Sequence, residues 1–149
     1  MTPRRTFRTL ALAEAVTWTL LLAGMVLKYV LDVTELGVRI GGGLHGFVFL
    51  AYCVTTVLVG VDARWSLGRV ALGLAAAFVP YATVPFERHV DGTLAPRWRL
   101  RTQPWHGRVE RVAAAALRAP VVAGVVVLVG LVLVFGGLLA VGPPTQWVG

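Results

Sequence analysis

Charge is scarce in this chain and cysteine almost absent, and each shortage removes a class of protein. Only 14% of the 149 residues are charged, where a soluble domain carries about 25%, so a water-soluble globule is excluded as the default. Lysine occurs once, at Lys28, beside thirteen arginines. The single Cys53 cannot close an intramolecular disulfide and has no second thiolate to share a metal, which excludes a disulfide scaffold and cysteine-based zinc or redox chemistry. The nucleophile elbow, the phosphate-binding glycine loop, the HExxH pair and paired catalytic carboxylates are missing as well. The chain therefore reads as non-catalytic, with no cofactor and no metal expected.

What is present is hydrocarbon. Hydrophobic residues make up 57% of the chain and its mean hydropathy is +0.76. Four helices of about 20 residues, the length that crosses a bilayer, would use most of it. The net charge of +7 is distributed between the apolar runs, where charges mark loop ends and headgroup contacts, so nucleic acid is not an expected partner and the lipid bilayer is.

The pattern predicts an all-α, polytopic membrane helix bundle: three antiparallel helices, a short amphipathic interfacial helix, and an additional C-terminal transmembrane helix. Residues 1–87 form the three-span core, 88–118 a basic polar loop with the amphipathic helix, and 119–149 the fourth span and tail. Arg4, Arg5 and Phe7 resemble a twin-arginine export signal, but the apolar run continues to Leu31 with no small-residue cleavage site after it, so it reads as a retained first span from Phe7. Gly41, Gly42 and Gly43 open a second span ending near Val61, and Gly42 with Gly46 forms a small-xxx-small pair suited to close helix contact. The third span, about Val70 to Phe86, carries Pro80 and Pro85 in its second half, where a kink or early unwinding is expected. Gly107 to Arg118 reads as amphipathic, and Val121 to Val141 is apolar throughout with no ionisable residue.

Ionisable groups inside such a bundle are costly and normally pair. Alternating helix directions would bring Lys28, Arg39, His45 and Glu87 to one membrane face as an ion-pair cluster or a polar pocket for an anion. Glu14 would meet Arg64 or Arg69 at the other. His45, Phe49, Tyr52 and Thr56 share a helical stripe, which reads as bundle core before it reads as a ligand or proton site. Trp65, Trp98, Trp105 and Trp147 are candidate interfacial anchors. With alternating sides, five basic residues fall on the N-terminal side and nine on the side of the long basic segment, a tally that places that segment in the cytoplasm. The preference for Arg over Lys, with abundant Ala, Val and Gly, fits a GC-rich bacterial genome.

Phe7-Arg8, Glu14 with Trp18, Lys28-Tyr29, Arg39, Gly42, His45-Gly46 followed by Phe49 and Tyr52, Trp65-Ser66 and Pro80 together resemble the YdzA-like family of small bacterial integral membrane proteins of unknown function. The resemblance covers about residues 7–87 and implies three antiparallel helices in a bacterial plasma membrane, with no activity. The segment from Arg88 onward departs from it. The expected role is an accessory or structural subunit of a larger membrane complex, or a homo-oligomer. The alternative is a small carrier or lipid- and anion-binding protein using the Lys28, Arg39, His45 and Glu87 pocket. An intramembrane enzyme is a third reading.

Overall fold

The computed structural model describes residues 2–102, 104 and 107–141. All regular structure among them is helical. The chain divides into two compact units, residues 1–113 and 114–149. In the first, α1 (Pro3–Met25) runs on through one wider π-helical turn, Val26–Val30, and α2 (Leu36–Asp62) returns alongside it. Both are long and apolar enough to cross a membrane. Thr2 caps α1 by accepting from the Arg5 amide at 3.2 Å, and Pro3 occupies the first helical position, where its missing N–H removes nothing.

The α1–α2 crossing is set by glycine. A Cβ on Gly24 would lie 2.4 Å from the backbone carbon of Gly37, and one on Gly41 would meet Leu20 O at 3.0 Å. The two backbones therefore touch, which only small residues permit. The expected Gly42–Gly46 pair is not this contact: among the described residues Gly46 has nothing within 4 Å of its Cβ position, and Gly42 only a leucine methyl at 3.8 Å. The signal lay instead in Gly37 and Gly41, a small-xxx-small pair four residues upstream of the expected one on α2, and in Gly24 of α1.

The third expected span is a hairpin. Ser66 caps α3 (Leu67–Ala76), the helix stops, residues 77–82 turn, and α4 (Thr83–Val90) runs back. Pro80 cannot donate a helical hydrogen bond, and Tyr81 beside it sits at φ 66°. Pro85 breaks nothing, because it lies in the first turn of α4, whose amides have no helical acceptor anyway. Contacts fix the direction of each arm. Gly60 lies against Val70, Gly73 against Thr56, and Phe49 meets Phe78 edge-on at 5.1 Å, so α3 is antiparallel to α2. Thr83 donates to Ala11 O at 3.0 Å and Arg4 pairs with Asp91 at 2.6 Å, so α4 is antiparallel to α1. The hairpin enters and leaves at the end of the bundle where α1 begins. Its tip is level with Trp18 and Thr19, about 14 Å of helix short of Lys28.

Short α5 (Arg99–Thr102) follows a 3-10 turn at Asp91–Thr93, and α6 (Arg108–Arg118) is the expected amphipathic helix. In the second unit α7 (Pro120–Val141) is a 22-residue helix with no ionisable residue; Arg108–Arg118 with Pro120–Gly130 makes a third candidate span only if the pair, bent by 113°, is one span.

Gly24→Val should destabilise the bundle by about 1–3 kcal/mol, the usual cost of overpacking, because its neighbour is backbone and cannot move aside. Gly43→Val, with open space around Gly43, should leave thermal unfolding in mild detergent unchanged. Equal melting of the two variants would refute the crossing described here.

Candidate functional site

Buried Glu14, Thr17 and His45 form a polar layer near the level where the hairpin turns, whereas buried Asp62 and Glu87 lie toward the end where α1 begins. Glu14 is fully buried on α1. Thr17, one turn on, sends its hydroxyl proton to Glu14 O at 3.0 Å. Its Oγ1 is then left to accept from His45 Nδ1–H at 3.3 Å, so the network assigns the His45 proton to Nδ1. His45 Nδ1 is also 3.9 Å from Glu14 Oε1, and the Trp18 indole covers the imidazole at 4.4 Å between ring centres. Tyr52, fully buried, presents its hydroxyl to the same interior. Among the described residues, neither carboxylate oxygen of Glu14 nor the Tyr52 hydroxyl has a hydrogen-bond partner.

The hairpin completes the enclosure. Trp18 Nε1 donates to Ala77 O at 3.3 Å, Thr19 Oγ1 meets the Tyr81 hydroxyl at 3.3 Å, and Thr83 ties α4 to α1 through Ala11 O. The Trp18 bond satisfies a carbonyl at the helix break, and the other two pair buried or half-buried hydroxyls within the protein, a requirement inside a membrane because no water is there to do it. Below this layer Phe7 stacks on Tyr52 at 5.5 Å and meets Trp65 and Phe86 edge-on at 6.0 and 6.2 Å.

Several expected groupings do not form. Lys28 pairs with Glu35 at 3.0 Å, within the loop that joins α1 to α2. Glu87 lies on α4, whose neighbour Phe86 packs on Phe7, so Lys28 and Glu87 are separated by about 30 Å of helix. The hairpin is the reason: it carries Glu87 back to the end it came from instead of on to the far face. Arg39 is exposed on α2, and His45 belongs to the Glu14 layer. Glu14 does not meet Arg64 or Arg69, because it lies about two helical turns deeper than the α2–α3 connection. Arg64 is 3.9 Å from Glu110, and Arg69 is exposed. Trp65 and Trp98 are buried, the former donating to Thr93 Oγ1 at 3.0 Å, so they are packing residues and not lipid-facing anchors. Trp105 and Trp147 lie outside the described residues.

The sequence reading missed the network at the end of α2. Arg99 donates from Nε to Asp62 O at 2.8 Å and from Nη2 to Val61 O at 3.1 Å and Glu110 Oε1 at 2.8 Å, while Asp62 Oδ1 accepts from the Leu100 amide at 2.9 Å. One guanidinium thus closes the last carbonyls of a long helix, where a cation is favoured. Acids spaced among arginines were visible in the sequence, but the partners are 38 and 11 residues apart. Among the described residues no group of three His, Cys, Asp or Glu could hold a metal.

Long apolar helices around a buried polar layer define a helical membrane protein. Residues 4–91 match the family described as a domain of unknown function, DUF3817, and the chain belongs to that family. It is similar to "Putative membrane protein SCO5905" of Streptomyces coelicolor, 51% identical over 84 residues, 56% of this chain and 10% of that protein. It is similar also to "Uncharacterized membrane protein YdzA" of Bacillus subtilis, 33% identical over 88 residues, 58% of this chain and 91% of that protein. The match thus spans a tenth of the length of one relative and nearly all of the other. No solved structure matches.

Glu14→Gln keeps the shape of the buried side chain without an ionisable group and should melt at or above the wild-type temperature. Glu14→Lys should lose about 3–5 kcal/mol, the usual cost of leaving a buried charge uncompensated. A well-folded Glu14→Lys protein would show that position 14 faces lipid headgroups or water.

Proposed function

We propose that the chain is a non-catalytic accessory module of a larger assembly in the bacterial plasma membrane, lying beside the helices of a bigger membrane protein. One observation carries the reading. The matched segment makes up most of the Bacillus relative but only a tenth of the Streptomyces one, so the same module occurs nearly alone and also within a much longer membrane protein. A unit joined to another membrane protein in one chain is suited to stand next to one as a separate chain.

The surface of α2 supports it. Leu36, Ile40 and Phe47 are exposed along one side, with Gly43 open between them. Angular spacing puts all four within about 60° of one another. Large apolar side chains flanking a bare glycine give a ridge and a notch into which a second helix fits. The buried layer, by contrast, is covered by Trp18 and the hairpin.

The module is oriented with its α1 N-terminus in the cytoplasm. Because the hairpin returns, the start of α1, the α2–α3 connection and residues 91–102 share one end, joined there by Glu110 through Arg99. That end carries eleven arginines between Arg4 and Arg111, against Lys28 and Arg39 at the other. An imbalance of this size is what the positive-inside rule reads.

A photo-crosslinker at Phe47 should, in intact cells, capture one larger membrane protein that also co-purifies in mild detergent. A strictly monomeric species with no protein adduct would reject the accessory role, and an adduct with itself would make the module a homo-oligomer. In a Cys53→Ser background, cysteines placed at Gly68 and Gly92 should be protected from an impermeant reagent in intact cells, and one at Val33 should be labelled. Opposite labelling of positions 68 and 92 would mean that the hairpin crosses the membrane.

A further inference from the structure

Glu14 stands at the middle of α1, a helix long and apolar enough to cross a membrane, and it is fully buried there. Among the described residues the only basic group within ion-pairing distance is His45, whose Nδ1 is 3.9 Å from Glu14 Oε1. Lys28, on the same helix, is about 21 Å farther along the axis and pairs with Glu35. Arg8, nearly two turns the other way, is exposed. The elements around Glu14 bring few other titratable groups. From α2 come His45, Tyr52 and half-buried Cys53; from α4 comes Glu87, buried one turn past Thr83; the turn at residues 77–82 brings Tyr81, which bonds to Thr19. The one charge on α3 is Arg69, exposed near the α2–α3 connection. No lysine or arginine is therefore placed to balance a charge on Glu14.

The donors beside the carboxyl are committed elsewhere. Trp18, one turn on along α1, gives its indole N–H to Ala77 O, and Thr83, bonded to α1 one turn before Glu14, gives its hydroxyl proton to Ala11 O. Thr17 bonds to the Glu14 carbonyl, and His45 Nδ1–H goes to Thr17 Oγ1 at 3.3 Å. The Tyr52 hydroxyl is out of hydrogen-bond reach. An ionised carboxylate can only accept, so here it would have neither donor nor counter-charge, a costly state in hydrocarbon. A carboxylic acid needs neither. Its own O–H donates, and hydroxyl oxygens such as those of Thr83 and Tyr52 keep lone pairs to accept. The separation from His45 agrees: an imidazolium beside a carboxylate would close to about 2.8 Å, whereas this pair stays at 3.9 Å.

We infer that Glu14 is a proton-binding site enclosed within the membrane: its carboxyl holds one exchangeable proton beside a neutral His45, and the hairpin controls the access of water to it. On binding, a carboxylate oxygen takes a proton from a hydronium ion and leaves water. On release, the O–H electron pair stays on the oxygen and the proton returns to water. The hairpin tip is held over the layer by the Trp18–Ala77 and Thr19–Tyr81 bonds, both at 3.3 Å, so local opening of that tip sets the exchange rate.

The test is infrared difference spectroscopy of the full chain in mild detergent at neutral pH. The wild type should show the carbonyl stretch of a protonated carboxyl in apolar surroundings. Glu14→Gln should lack that band, and Glu87→Gln, which removes the other buried glutamate, should keep it. Glu14→Asp should keep a displaced band, so a Gln variant that fails to fold does not leave the site undecided. Nitrogen NMR of isotope-labelled histidines, assigned with His45→Gln, should show a neutral ring protonated on Nδ1. On transfer to heavy water the band should shift slowly, and Trp18→Phe, which removes one bond from the hairpin tip, should speed that shift about five-fold, equivalent to about 1 kcal/mol. Absence of the band from the wild type, its survival in Glu14→Gln, or an imidazolium at position 45 would overturn the inference. A band present in choline chloride but lost in sodium chloride would also overturn it, because the occupant would then be a sodium ion. Equal exchange rates in wild type and Trp18→Phe would overturn the part assigned to the hairpin.

Discussion

Water is missing from the hydrocarbon interior, and the structure is arranged around that fact. A backbone or side-chain polar group in a bilayer core must find its partner within the protein, and the bundle shows how few residue types suffice. Thr17 and Thr56 turn their hydroxyls onto carbonyls of their own helices, and Thr83 reaches from α4 to the carbonyl of Ala11. Trp18 spends its single N–H on Ala77 O, at the point where the third helix stops. Without these bonds a helix broken at Pro80 would leave bare carbonyls at depth, and the hairpin would have no reason to turn where it does.

The same constraint separates the two ends of the molecule. Residues that cannot be buried collect where water is, and the hairpin decides which end that is by returning the chain to its starting side. Charge then organises itself locally: Arg4 with Asp91, Arg99 with the end of α2 and Glu110, Lys28 with Glu35 at the far side. Exposed pairs of this kind add little stability. Arg99 is different, because it is largely buried and satisfies carbonyls that would otherwise be orphaned at a helix terminus.

Much of the architecture was legible along the chain. Apolar runs of the right length, the break expected around Pro80, the amphipathic stretch near Arg108 and the His45, Phe49, Tyr52 stripe all reflect local periodicity, which the backbone obeys whatever surrounds it. The site was less legible. That Glu14 and His45 are both special could be read from their place in apolar helices, yet their neighbours were assigned to other residues. The error has one source. Counting each apolar run as a full crossing reverses the end at which everything after residue 77 emerges, and it moves Glu87 from Arg8's end of α1 to that of Lys28. Proline position marks where a helix stops but carries no information on which way the chain leaves.

The sequence by itself determined the solvent of this protein, its helical class and its family, because composition and periodicity are summed over many residues and no single contact can reverse them. The tertiary structure alone decided that Gly24 lies on Gly37, that Glu14 meets His45 beneath Trp18, and that Arg99 closes the carbonyl end of α2. Such pairings depend on the level at which separate helices meet. That level is fixed by side-chain packing and by the turn at residues 77–82, and no pattern along one helix encodes it.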